Sequence, residues 1–135
     1  MNETGITYGT VVVTSLPFDR AVERARQLLQ DEGFGVLSEI DVAKTLKEKR
    51  GIEFQPYVIL GACNPDFASQ ALMVEAQIGL LLPCNVVVTV DGGKTKVSAV
   101  DAAAMLGIVG KPDLADIAVE VNRRLRRVLA GIAAE

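Results

Sequence analysis

The sequence has no histidine and no tryptophan, only two cysteines, and aromatic residues at 4% of its 135 positions. Without histidine, the commonest general base at neutral pH and the commonest metal ligand are both absent. So few rings leave no stacking surface, and the core must be filled by Val, Leu, Ile and Ala. A net charge of −3 lacks the concentrated basic excess that phosphate-backbone binding requires, so nucleic acid is not an expected partner. No apolar run reaches the roughly 18 residues that span a bilayer, and Met1-Asn2-Glu3-Thr4-Gly5 lacks the basic and apolar regions of a signal peptide. The expectation is a cytoplasmic protein with reduced thiols and no membrane partner. No GxGxxG precedes the second helix and no Gly-Lys-Ser/Thr occurs, which excludes a phosphate loop; no GxSxG occurs either, which makes an ordinary hydrolase the weakest reading.

What is present fits one domain over residues 1–135, long enough to bury a core without disulfides or metals. Thr7 to Ser15 carries Val11, Val12 and Val13 between threonines and reads as a strand. Pro17 opens a helix in which Phe18, Val22, Ala25 and Leu29 share a face. Period two then runs from Gly33 to Asp41, placing Val36, Ser38 and Ile40 on one side and Leu37 and Glu39 on the other. Asp41 caps a short helix, Val42 to Arg50. Tyr57 to Cys63 is a third strand, and Asn64-Pro65 starts a helix running to about Ala76. Cys84 to Asp91 and Thr95 to Val100 form a hairpin across Gly92-Gly93. A short helix at Ala102 to Leu106 precedes a last helix from Pro112, whose stripe is Leu114, Ile117, Ala118, Val121, Leu125, Val128, Leu129 and Ile132. The fold class is α+β: a single-domain sandwich, a mostly antiparallel sheet with helices packed on one face.

The polar residues at the ends of the most apolar strands are the candidate ligand-binding residues: Glu39, Asp41, Cys63, Asn64, Cys84 and Asn85. Cys63 sits just before a helix start, where the dipole favours a thiolate; as an alternative it is a small apolar filler. Cys84 shares a strand face with Val86, Val88 and Val90, which argues for burial. If Ile78 to Leu82 is extended, Cys84 returns to the end of the third strand; a plain parallel crossover would leave the thiols a strand length apart. Glu39 and Asp41 project to one face, as an acid–base pair or hard ligands beside the thiols, or else as a solvated residue and a helix cap. Cys63 and Cys84 are weak metal candidates, since their spacing matches no CxxC or zinc-knuckle motif. Asn64 is explained as a cap, whereas Asn85 has no equal structural account inside a strand. Arg123, Arg124, Arg126 and Arg127 read as a solvated helix face that suits the C-terminal dipole.

Gly33-Phe34-Gly35-Val36-Leu37-Ser38-Glu39-Ile40-Asp41-Val42, Tyr57-Val58-Ile59-Leu60-Gly61-Ala62-Cys63-Asn64-Pro65 and Ile78-Gly79-Leu80-Leu81-Leu82-Pro83-Cys84-Asn85-Val86-Val87-Val88 resemble the DUF302 (TT1751-like) proteins of bacteria and archaea. Ala102 stands where that family usually has proline after the strand-ending Asp. The resemblance implies a small α+β fold, a homodimer and a function uncharacterised for the family; it supplies no established catalytic residues, and any cofactor is unknown. The expected function is a small-ligand-binding or regulatory homodimer, leaning away from an enzyme. One alternative is thiol-based redox, persulfide or metal-binding chemistry at Cys63 and Cys84. The other is a structural or interaction module in which the last helix packs between subunits.

Overall fold

The computed structural model describes residues 6–135, so Met1 to Gly5, on which the signal-peptide reading rests, lie outside the described residues. A five-stranded sheet in the order β1-β5-β4-β3-β2 is antiparallel throughout. Its strands are β1 (Gly9–Thr14), β2 (Gly35–Asp41), β3 (Tyr57–Cys63), β4 (Cys84–Asp91) and β5 (Lys94–Val100). Five helices accompany it: α1 (Phe18–Asp31), α2 (Val42–Arg50), α3 (Pro65–Val74), α4 (Ala102–Leu106) and α5 (Pro112–Ala133). Short 3-10 segments cover Ala76–Leu81 and Gly107–Val109.

The core follows from the alternation of the strands. Leu60 lies opposite Val86, which lies opposite Ala99; Val58, Val88 and Val97 form the next row, and all are buried. That face receives α1 and α5. On α5 every residue of the apolar stripe from Leu114 to Ile132 is buried within the one chain, so the helix has no apolar stripe left to lay against a partner. On α1 the fully buried residues are Ala21, Ala25 and Leu29, with Phe18 and Val22 packed at the margin. The helix is thus rotated from the expected stripe, because small alanines allow closer approach to the sheet than Phe18 would.

Local chemistry sets the helix boundaries. Gly33 (φ 87°) ends α1, and the Phe34 N–H donates to the Leu29 carbonyl at 2.8 Å. Only glycine adopts that left-handed turn without strain, and a β-carbon there would lie 2.9 Å from Asn64 Nδ2. Asp41 accepts from the Lys44 N–H at 2.9 Å and starts α2. The Asp101 carboxylate accepts from the N–H groups of Ala103 (2.9 Å) and Ala104 (3.1 Å), so α4 starts at Ala102 without a proline.

Two expectations are corrected. The paired residues on β2 shift register between Val36 and Ser38, leaving Leu37 as the extra residue of a bulge. Val36 consequently faces the helices with Glu39 and Asp41, while Ser38 and Ile40 face away. The helix expected to reach Ala76 ends at Val74, and Ile78 to Leu82 is not extended. Ala76–Leu81 coils into the 3-10 segment, burying Ile78, while Glu75 accepts from the Gln77 N–H at 3.0 Å. The cis peptide Leu82-Pro83 then leads into β4. Cys84 still returns to the end of β3, because the antiparallel register sets it opposite Ala62.

Candidate functional site

Where β3 ends and β4 begins, the sheet runs out beneath α3, the 3-10 segment, α4 and α5, leaving a cavity of about 170 Å³. Its apolar walls come from Phe67 and Ala71 on α3, Leu81 and Leu82 before β4, Leu106 on α4 and Val121 on α5. Cys63, Asn64, Cys84 and Asn85 all border it, so the structure brings these candidates together. Glu39 and Asp41 are not among its lining residues. They lie further along β2, opposite Leu60 and Val58. Arg26 forms an ion pair with Glu39, and Asp41 is the α2 cap. The proposed carboxylate pair beside the thiols does not assemble. Among the described residues no group of three or more Cys, Asp or Glu side chains is placed to hold a metal ion.

Both thiols are free and half-buried. Cys84 points with Val86 toward the helices, and burial, reinforced by the nearby Cys63, pushes its thiol up to about 11. At neutral pH Cys84 is therefore a protonated, soft wall atom. Alternation along β3 turns Cys63 to the face opposite Ala62 and Cys84; both cysteines reach the cavity because it opens at the strand ends.

Asn64 is largely occupied. Its Oδ1 accepts from the N–H groups of Asp66 (3.1 Å) and Phe67 (3.4 Å), and its Nδ2 donates to the Glu32 carbonyl at 3.5 Å. Asn85 is exposed at the rim, opposite Gly61, and also borders a shallow depression on the helix-free face with Val87, Thr89 and Ser98. Gly61 does not hold ligand space open. A β-carbon there would lie 2.3 Å from Ser38 Oγ and 3.0 Å from Pro83 Cγ, so the missing side chain admits residues of the chain itself.

Residues that spacing had not singled out hold the cavity's outer wall. Asn122 on α5 is buried, donates to Asp101 Oδ1 and accepts from the Ala102 N–H. Partial burial alone would raise the Asp101 carboxyl. The Asn122 amide, the N–H groups of Ala104 and Ala103 and the charge of Arg126 outweigh it, holding the group below its ordinary value. The signal was available: Asn122 falls at i+4 from Ala118 and i−3 from Leu125, a polar residue on an apolar stripe. Arg124 lies 5.0 Å from the Phe67 ring centroid and donates to the Glu32 carbonyl at 3.0 Å. The arginine cluster is not in the last turn of α5, as the dipole reading required. Arg123 and Arg124 pair with Glu120, and Arg127 with Glu32 at the end of α1.

The family model DUF302, a domain of unknown function, matches residues 10–132. The chain belongs to the DUF302 family. A DUF302 crystal structure described as an uncharacterized conserved protein from Bacillus stearothermophilus superposes with a TM-score of 0.89 at 34% identity, covering 94% of this chain and 99% of that one. Among curated proteins nothing matches. The DUF302 chain thus has its family's fold, the antiparallel sheet with its helices, and among its described residues no helix is long and apolar enough to cross a membrane.

Proposed function

We propose that this DUF302 protein is a small-ligand-binding or regulatory homodimer that takes its ligand in the cavity between the ends of β3 and β4. The carrying observation is that one cavity of about 170 Å³ gathers Cys63, Asn64, Cys84 and Asn85 around apolar walls. Concave apolar space with a few polar groups at one end is what small-molecule sites require. Pairing through α5 is disfavoured, since its stripe is consumed in the core; the helix-free face of the sheet, where Val13, Ile59 and Val87 stay partly exposed, is a surface open to a second copy. Native mass spectrometry of protein purified without reductant or added metal tests both parts. A dimer carrying extra mass that an Ala68→Leu variant no longer retains is expected, and a bare monomer would overturn the reading.

The nearness of Cys63 to Cys84 favours a second reading, in which the thiols act in redox, persulfide or metal chemistry. The same spectra decide it. A subunit lighter by two hydrogens, or heavier by sulfur or a metal, supports thiol chemistry; fully reduced, unmodified thiols remove it.

A further inference from the structure

Among the described residues none that lines the cavity is charged. An ion entering it would lose its hydration and meet no opposite charge in return. The polar groups are few: two thiols, the Asn64 amide already committed to the α3 N–H groups and the Glu32 carbonyl, and Asn85 at the rim. Cys84 adds no anion at neutral pH, since burial keeps it protonated. The size of the space is equally restrictive. At about 170 Å³ it is close to the volume, about 150 Å³, at which an engineered apolar cavity stays dry and takes up benzene.

We infer that the cavity admits a compact, uncharged, mainly apolar molecule about one aromatic ring in size, with a single hydrogen-bonding group placed at the rim beside Asn85. This rests on the ligand-binding reading above and names the chemical class of its ligand. An uncharged wall disfavours a charged metabolite or a nucleotide, and a one-ring volume disfavours a long acyl chain.

Titration of the intact protein with toluene, benzyl alcohol and benzoate, followed by amide NMR shifts, separates the possibilities. Toluene and benzyl alcohol are expected to move the signals of Ala71, Leu106 and Val121, with benzyl alcohol bound about threefold more tightly, as one added hydrogen bond gives. That preference should vanish in Asn85→Ala, a rim substitution that removes no buried contact. Benzoate, of the same size and charged, is expected to leave those signals in place. Ala68→Leu, which narrows the cavity from α3, should weaken toluene binding at least tenfold. If benzoate moves the cavity signals as readily as benzyl alcohol, the uncharged class is wrong while the cavity remains a binding site. If none of the three moves them, both the class and the ligand-binding reading fall.

Discussion

Asn122, within α5, donates its Nδ2 to the Asp101 carboxylate at 2.9 Å, while its Oδ1 accepts from the Ala102 N–H at 2.7 Å. One buried amide therefore completes the cap of α4 and ties the longest helix to the cavity wall. Asn122→Ala leaves the Asp101 oxygen and the Ala102 N–H without that partner, and the expected cost is about 2–3 kcal/mol, the penalty of stranding buried polar groups. Urea unfolding with an unchanged m-value checks it; a loss within about 0.5 kcal/mol would mean that water replaces the amide.

Acid should destabilise the protein through Asp101 and Glu120. Hydrogen bonds from Arg123 and then Arg124 hold the Glu120 carboxyl down from 4.5 to about 2. A carboxyl depressed in the folded state binds its proton more readily when unfolded. Its contribution is fully present above about pH 4.5 and is lost as pH falls through about 2. The urea midpoint should decline across that window, less steeply in Glu120→Gln. Salt at about 0.5 M should shrink the difference between the two proteins, because Glu120 and its arginines are solvent-accessible.

Cys84 should resist alkylation. With its thiol near 11, the thiolate fraction at pH 8 is about one in a thousand. Iodoacetamide labelling of Cys84, read by peptide mass spectrometry, is expected to accelerate about tenfold per pH unit up to pH 10. Cys63→Ser should change this only slightly, since burial is the larger cause and Cys63 the smaller. Rapid labelling at pH 7 would show that the wall around Cys84 opens.

How much of this was legible in the sequence depended on whether a residue's role was local. Asn64 and Asp41 act on N–H groups two or three residues ahead, so the α2 and β3 boundaries could be read directly. The Leu37 bulge could not, because one extra residue is defined only against the partner strand, and it brings Val36 to the same side as Glu39 where plain alternation separates them. The sequence leaves the relation of Cys63 to Cys84 open between two routes for the chain between them, and the return is made through the 3-10 coil, not an extended segment. Arg26 claimed Glu39 from another element, and no spacing within β2 announces that.

Gly33→Ala is expected to cost about 2 kcal/mol. The left-handed turn (φ 87°) contributes about half of that, and displacement of the Asn64 amide, 2.9 Å from the new carbon, the rest. Thermal unfolding checks the loss. An Asn64→Gly, Gly33→Ala double variant should show less than the sum of the single effects, because the clash disappears with the amide.

The strand order constrains when the protein can form. β1 precedes β5 in the chain by about eighty residues yet lies beside it, so Gly9 must wait for Val100 to leave the ribosome before the two can pair. β1 also depends on α5, which follows β5 in the chain, to cover Val12. The β3–β4–β5 meander can assemble from near neighbours, while the valine-rich β1 stays without its strand partner until β5 has been made. Over that interval Val11, Val12 and Val13 are a solvent-exposed β-forming run, open to pairing with another chain.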